Sequence, residues 1–268
     1  MRVLLHLAGG VPLGLLCPLL GRARQRRMLQ RWCSDLLQLL HIRLQTQGQM
    51  LRDIHRPGLV VANHTSWLDA IALSAVAPER CVTGNGLRFW PLTGGARRWS
   101  DRPPTADDSA RLCDQITARL RGGESVILFP EGAASAGKLP GHFHSILLQS
   151  AIDCQVPVRP VAIRYHDRYG RPSRAADIIG TTTLPRSLWR ILRSPDLHVT
   201  LTGLAELPCA GETRRRLARD AHASISLALR HPVAASPQPS DPCRDGSEPA
   251  LYSLMLPSAL HPHTYDLR

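Results

Sequence analysis

The sequence predicts an α/β fold, a layered domain in which short buried strands alternate with helices. Two runs, Gly58-Leu-Val-Val-Ala62 and Ser125-Val-Ile-Leu-Phe129, are short, apolar and bounded by proline or glycine, as buried strands are. Between them, Asp107 to Arg121 carries Leu112, Ile116 and Leu120 four apart, the spacing of an amphipathic helix. Farther on, His198-Val-Thr-Leu-Thr202 alternates like a half-buried strand.

Taken in order, residues 3–20 read VLLHLAGGVPLGLLCPLL, apolar and without charge. The run is short for a membrane span, which needs roughly 20 residues. Gly9-Gly10, Pro12 and Pro18 are expected to break or kink a helix there. A secretory signal fits poorly, because arginines follow at once and no small-x-small site ends the run. Those arginines are Arg22, Arg24, Arg26, Arg27 and Arg31. Trp32, Leu36, Leu37, Leu39, Leu40, Ile42 and Leu44 then recur at helical spacing. Residues 1–56 therefore read as an amphipathic helical segment that associates with an anionic cytoplasmic leaflet. A core-facing helix whose arginines form its solvated face is the competing reading.

Residues 57–230 read as the main domain. After the strand ending at Ala62, Asn63-His-Thr-Ser66 supplies polar, cap-forming residues. Trp67 to Leu73 continues as a helix with Thr65 or Ser66 as N-cap. Cys81-Val-Thr83 is a second strand, and Gly122-Gly123 ends the helix before the strand that Pro130 stops. Val158 to Tyr165 is a further strand, and Glu212 to Arg230 the last helix. Residues 231–268 hold seven prolines without periodicity and read as a disordered tail.

Thirty-three Lys and Arg against 21 Asp and Glu leave a net charge of +12, which suits an anionic partner: a membrane surface or a phosphorylated substrate. Nucleic acid fits poorly, since aromatics make up only 4% of the chain and no nucleic-acid-binding motif occurs. The seven cysteines are dispersed with no Cys-x-x-Cys pair, against a disulfide framework and against a zinc site.

The chemistry-bearing residues fall into two groups. His64 stands just before a helix and Asp69 in its first turn, so a carboxylate can fix the imidazole tautomer and leave the other nitrogen as a base. No Gly-x-Ser-x-Gly motif supplies an enzyme nucleophile, so this base would act directly on a substrate hydroxyl. Taken alone, a His-x-x-x-x-Asp pair is more often structural than catalytic. The second group, Phe129-Pro-Glu131-Gly132, ends a buried strand, where α/β sheets bind ligands. Glu131 can accept from a polyol hydroxyl and Gly132 allows close approach to backbone. A plain strand-to-loop turn is the bland alternative.

Together these blocks resemble the glycerolipid acyltransferase family. Asn63-His64-Thr-Ser66-Trp-Leu-Asp69 matches its Asn-His-x-Ser-x-x-Asp block, and Phe129-Pro-Glu-Gly132 its Phe-Pro-Glu-Gly block. Val156-Pro-Val-Arg-Pro-Val161 is similar to a later Val-Pro-Val-x-Pro-Val strand. Phe143-His-Ser145, Leu147-Leu-Gln149 and Leu188-Trp-Arg-Ile-Leu192 resemble segments of bacterial lysophospholipid acyltransferases.

The resemblance implies acyl transfer from acyl-CoA or acyl-carrier protein, as co-substrate, to a lysophospholipid hydroxyl, with no metal or bound cofactor. His64 would be the general base and Asp69 its orienting partner, with Ser66, Glu131, Gly132 and Arg102 binding substrate. The implied acceptor is 1-acylglycerol-3-phosphate, giving phosphatidic acid; lyso-ornithine lipid is the rival, and a degenerate lipid-binding member the third reading. The implied location is the cytoplasmic face of the inner membrane.

Three stretches depart from the family pattern. Ala133-Ala134-Ser135 replaces a Thr-Arg-Ser, removing an arginine suited to phosphate. The stretch Gly95 to Arg102 is about five residues short, with Arg102 matching the phosphate-contacting arginine and Arg97 and Arg98 as stand-ins. Gly141-His142 reads as a small insertion.

Overall fold

The computed structural model describes residues 1–16, 21–48, 56–78, 80–83, 86–88, 106–131, 139–177, 183–194 and 196–231. Arg102 and Gly132, the Ala133-Ala134 departure and the tail beyond residue 231 lie outside these residues.

Seven strands form one mixed sheet: β1 (Arg43–Gln47), β2 (Leu59–Ala62), β3 (Arg80–Thr83), β4 (Gly86–Arg88), β5 (Val126–Leu128), β6 (Val158–His166) and β7 (His198–Gly203), in the order β1-β7-β6-β2-β5-β3-β4. The central strands β6, β2, β5 and β3 run parallel, with antiparallel pairs β6–β7 and β3–β4 toward the edges. All four residues of β2 and all three of β5 are buried. Strands covered on both faces need no polar alternation, which is why they read as unbroken apolar runs.

The strand period splits the core into two layers. Val60, Ala62, Ile127, Val161, Ile163, Val199 and Leu201 face one cluster, shared with α2 (Arg22–Leu39), α3 (Leu68–Val76) and Ile191 of α6 (Leu184–Leu192). Leu59, Val61, Val126, Leu128, Val158 and Ala162 face the other, with α4 (Ala106–Arg121), α5 (Gln149–Asp153) and α7 (Arg214–Arg230). This is the α/β layering expected, with helices on both sheet faces.

The amino-terminal region differs from expectation in three ways. First, α1 (Arg2–Leu16) continues as helix through Gly9, Gly10 and Pro12. It is held to α2 by His6 and Trp32, whose rings stack at 5.0 Å, with His6 Nε2 3.0 Å from the Trp32 carbonyl. Second, the helical apolar spacing stops being helix before Ile42 and Leu44. His41 takes φ +55°, its N–H bonds to Gln38 O, and the Ile42 N–H reaches back to Leu37 O at 2.9 Å. That left-handed stop closes α2 and frees the chain to enter β1 beside β7. A histidine in this conformation carries far less sequence signal than a glycine would. Third, Leu29, Trp32, Cys33, Leu36, Leu37, Leu40 and Ile42 are buried in the same core as the strands after residue 58. The apolar face of α2 is thus turned inward, as the core-facing reading had it, while Arg24, Arg27 and Arg31 are exposed. No helix among the described residues is long and apolar enough to cross a membrane.

Candidate active site

Register carries the site to one end of the sheet. Val61 of β2 lies opposite Leu128 of β5, so Asn63-His64 and Phe129-Pro-Glu131 leave adjacent parallel strands side by side at their carboxyl ends. Asn63 closes the opposite side. It is 1% exposed, its amide nitrogen donates to the Ile163 carbonyl at 3.0 Å, and its oxygen accepts from the Ile163 N–H at 2.8 Å. This pair of bonds ties the end of β2 to β6 before the chain turns into His64.

The turn into α3 is a capping box. Trp67 already has helical angles (φ −61°, ψ −21°), and the Ser66 hydroxyl accepts from the Leu68 N–H at 3.2 Å, so Ser66 fits the N-cap position. Three residues on, Asp69 reaches back: Oδ2 accepts from the N–H groups of Thr65 at 2.7 Å and Ser66 at 2.8 Å. The same oxygen lies 2.9 Å from His64 Nδ1. Oδ1 accepts from the Tyr165 hydroxyl at 2.7 Å. Asp69 is fully buried, and four donors fill about the four acceptor positions that a carboxylate offers. Burial of this charge is thereby compensated rather than left open.

An ionised carboxylate can only accept, so Nδ1 of His64 carries the proton and Nε2 the lone pair. The His64 side chain is 18% exposed, and its ring stacks on Phe129 with centroids 4.4 Å apart. Packing on Phe129 and the bond to Asp69 together fix the ring. Tyr165 is held well above the usual phenol range, first by burial and then by the Asp69 charge, so it remains an O–H donor near neutrality.

Glu131 joins two loops to this turn. One carboxylate oxygen accepts from the His64 backbone N–H at 2.8 Å, the other from Gly141 N–H at 2.7 Å. A Cβ at Gly141 would meet Glu131 Oε2 at 3.2 Å. Gly141, which reads in the sequence as part of an insertion, is thus a fastening of the site. Glu131 retains acceptor capacity for a ligand hydroxyl.

His64, Asp69, Ser66 and Glu131 are therefore brought together as the sequence reading groups them, but Ser66 is fully buried with its hydroxyl on the helix start. The expected substrate contact of Ser66 gives way to a capping role. Tyr165 is a partner that sequence reasoning missed, and Asn63, read there as part of a motif, had no role assigned to it. A tyrosine ending a buried strand needs a partner for its hydroxyl, but nothing local points to an aspartate 96 positions away. Chemically, the arrangement offers an oriented base, partly exposed at the carboxyl end of the sheet, and a buried counter-charge for the imidazolium.

The geometry can now be set beside known proteins. The family model described as Acyltransferase matches residues 42–164. A lyso-ornithine lipid O-acyltransferase of Pseudomonas aeruginosa is 33% identical over 212 residues, covering 76% of this chain and 79% of that protein. This chain belongs to the acyltransferase family. A 1-acyl-sn-glycerol-3-phosphate acyltransferase of Neisseria gonorrhoeae is 32% identical over 180 residues, 66% of this acyltransferase and 69% of that one. The crystal structure of the 1-acyl-sn-glycerophosphate (LPA) acyltransferase PlsC from Thermotoga maritima shares the fold, with a TM-score of 0.56 and 19% identity over 85% of this chain and 95% of that one. The matched region runs from β1 to within two residues of the end of β6, so it takes in the whole His64–Asp69–Glu131 arrangement.

Proposed function

We propose that this acyltransferase moves an acyl chain from an acyl thioester, acyl-CoA or acyl-carrier protein, to the free hydroxyl of a lysolipid. The observation that carries the reading is the His64 Nδ1–Asp69 bond of 2.9 Å, with the second ring nitrogen unengaged by the described residues. His64 Nε2 takes the proton of the acceptor hydroxyl while its oxygen attacks the thioester carbonyl carbon. The C–S bond then breaks, and the imidazolium returns that proton to the departing thiolate. Asp69 stabilises the imidazolium in between, and Tyr165 and the two backbone N–H groups hold Asp69 still. Glu131 and Gly132 border the acceptor.

The first acceptor reading is 1-acylglycerol-3-phosphate, with Arg102, and Arg97 or Arg98 beside it, gripping the phosphate. A lyso-ornithine lipid acceptor is favoured by Ala134, which cannot form the bidentate bonds that a guanidinium makes to phosphate, and by the name of the Pseudomonas relative. The exposed Arg24, Arg27 and Arg31 along α2 support attachment to an anionic leaflet, on the cytoplasmic face where acyl thioesters are available.

Purified protein given labelled acyl thioester and each lysolipid in turn tests the reading. Product on neither acceptor overturns it. Product on 1-acylglycerol-3-phosphate, with KM raised by Arg102→Ala and lowered by Ala134→Arg, selects the phosphate acceptor. Product on lyso-ornithine lipid, insensitive to both substitutions, selects the other.

A further inference from the structure

The helix α6 has an apolar arc wider than the core it covers. Placed at about 100° per residue, Ser187, Ile191, Leu184, Leu188, Leu192 and Trp189 follow one another around about 200° of the helix. Of that arc, Ser187 and Ile191 are covered and Leu188 partly, while Leu184, on the first turn, and Leu192 and Trp189, at the far side, are not. Leu184, Trp189 and Leu192 are 40%, 59% and 48% exposed. An exposed tryptophan beside two exposed leucines on a nine-residue helix is a larger apolar surface than folding requires.

The rest of the helix states what covers that surface. It contains no acidic residue; Arg186 and, just past its end, Arg193 are exposed at the border of the arc. The Arg193 guanidinium lies 4.5 Å over the Trp189 ring. Tryptophan and leucine on one side with arginine along the border is the pattern of a helix lying in a bilayer interface, the rings at headgroup depth and the guanidinium on lipid phosphate. On its inner side the helix is fastened to the molecule. Arg190 donates through Nε to the Ala175 carbonyl at 2.9 Å and through a second nitrogen to the Asp177 carbonyl. Trp67, in the middle of the capping box that carries Asp69, donates from Nε1 to the Ser187 hydroxyl at 3.1 Å. Val3 and Leu7 of α1 pack on the same core layer as Ile191, and the neighbouring Leu4 and Leu5 are 61% and 65% exposed.

We infer that Leu184, Trp189 and Leu192 form a bilayer-contact face, separate in sequence from the amino-terminal arginines, that seats the His64 end of the sheet at an anionic lipid surface. The inference rests on a lipid acceptor, but its test does not depend on turnover. Full-length protein is sedimented with vesicles of equal parts phosphatidylethanolamine and phosphatidylglycerol, comparing wild type, Trp189→Glu/Leu192→Glu and the conservative Trp189→Phe. The double variant should bind about tenfold more weakly or worse, and Trp189→Phe within about threefold of wild type. Circular dichroism melting checks that the double variant folds, which its exposed positions permit. On turnover, transfer to a vesicle-borne lysolipid should fall with the double variant, while transfer to a short-chain, water-soluble lysolipid stays near wild type. Vesicle affinity within about twofold of wild type in the folded double variant overturns the inference, whether or not the enzyme turns over. So does unchanged vesicle affinity with a raised KM for acyl-carrier protein, which would assign the face to the carrier.

Discussion

At His64, Nδ1 meets a buried carboxylate that three other donors also hold, and the second ring nitrogen has no partner among the described residues. At His166, one residue past Tyr165 on β6, Nδ1 donates to the Asp167 carbonyl at 2.7 Å, leaving Nε2 to accept from the Thr200 hydroxyl at 2.7 Å. Both nitrogens are spent, and Nδ1 meets a backbone carbonyl where His64 meets a carboxylate. His198, opposite His166 in the antiparallel pair with ring centroids 5.3 Å apart, is buried with Nδ1 unpartnered among the described residues. Burial pushes both rings below the ordinary histidine range. The contrast separates two uses of one side chain. A base needs a free nitrogen and a partner for its cation; a packing histidine needs its charge kept off.

Removing the base tests this contrast most severely. His64→Ala should lower kcat by about 10²–10⁴-fold while leaving the melting temperature near wild type. Retention of more than about a tenth of wild-type kcat would remove His64 from the base role. His166→Gln and His198→Leu, by contrast, should stay within about threefold of wild-type kcat, because neither ring takes part in the bonds that join His64, Asp69 and Glu131.

Asp69→Asn comes next, because it acts on the same step and on the fold together. An amide presents a donor where four donors already converge, so kcat should fall about as far as in His64→Ala and the protein should also melt earlier. Tyr165→Phe keeps the ring and deletes a single bond to Asp69. We expect kcat to fall about tenfold with KM unchanged, since Tyr165 is buried and acts through Asp69. Unchanged kcat with a lowered melting point would make that tyrosine a packing residue only.

How much of this was legible in the sequence depends on range. The start of α3 was readable because Thr65 and Ser66 are cap-forming residues ahead of an apolar run; that Asp69 closes the cap as well as serving His64 was not read from the sequence. The central strands were readable because burial on both faces leaves no polar positions to confuse the pattern. What failed was either long-range or carried by residues with weak local meaning. Tyr165 reaches Asp69 across 96 positions, and Asn63 reaches Ile163 across 100. β1 was read as more helix because the left-handed stop is His41, not a glycine. The helix α6 was quoted only for its likeness to relatives, since a wide apolar arc does not say which half faces the core.

The smallest effect concerns the packing histidines and acid. In the folded protein His166 and His198 titrate below their ordinary value of 6.5. The cause is first burial; at His166 the bond to the Asp167 carbonyl opposes it, Arg164 adds to it and the Asp167 charge opposes it, while at His198 the neighbouring His166 and Arg43 add to it and Asp196 and Asp167 oppose it. Below about pH 6.5 the unfolded chain therefore binds protons that the native state refuses, so this contribution to stability is intact above that pH and declines as pH falls. His198→Leu removes one of the two refused protons and the unpartnered Nδ1 with it. At pH 7 its melting temperature should lie near wild type; at pH 5 the variant should melt about 2–4 °C higher, relative to its own value at pH 7, than the wild type does. Melting curves at half-unit steps between these limits decide it. If the two proteins lose stability in parallel, the proton excluded from the folded state is not at His198, and the division between a working and a packing histidine needs another basis than charge.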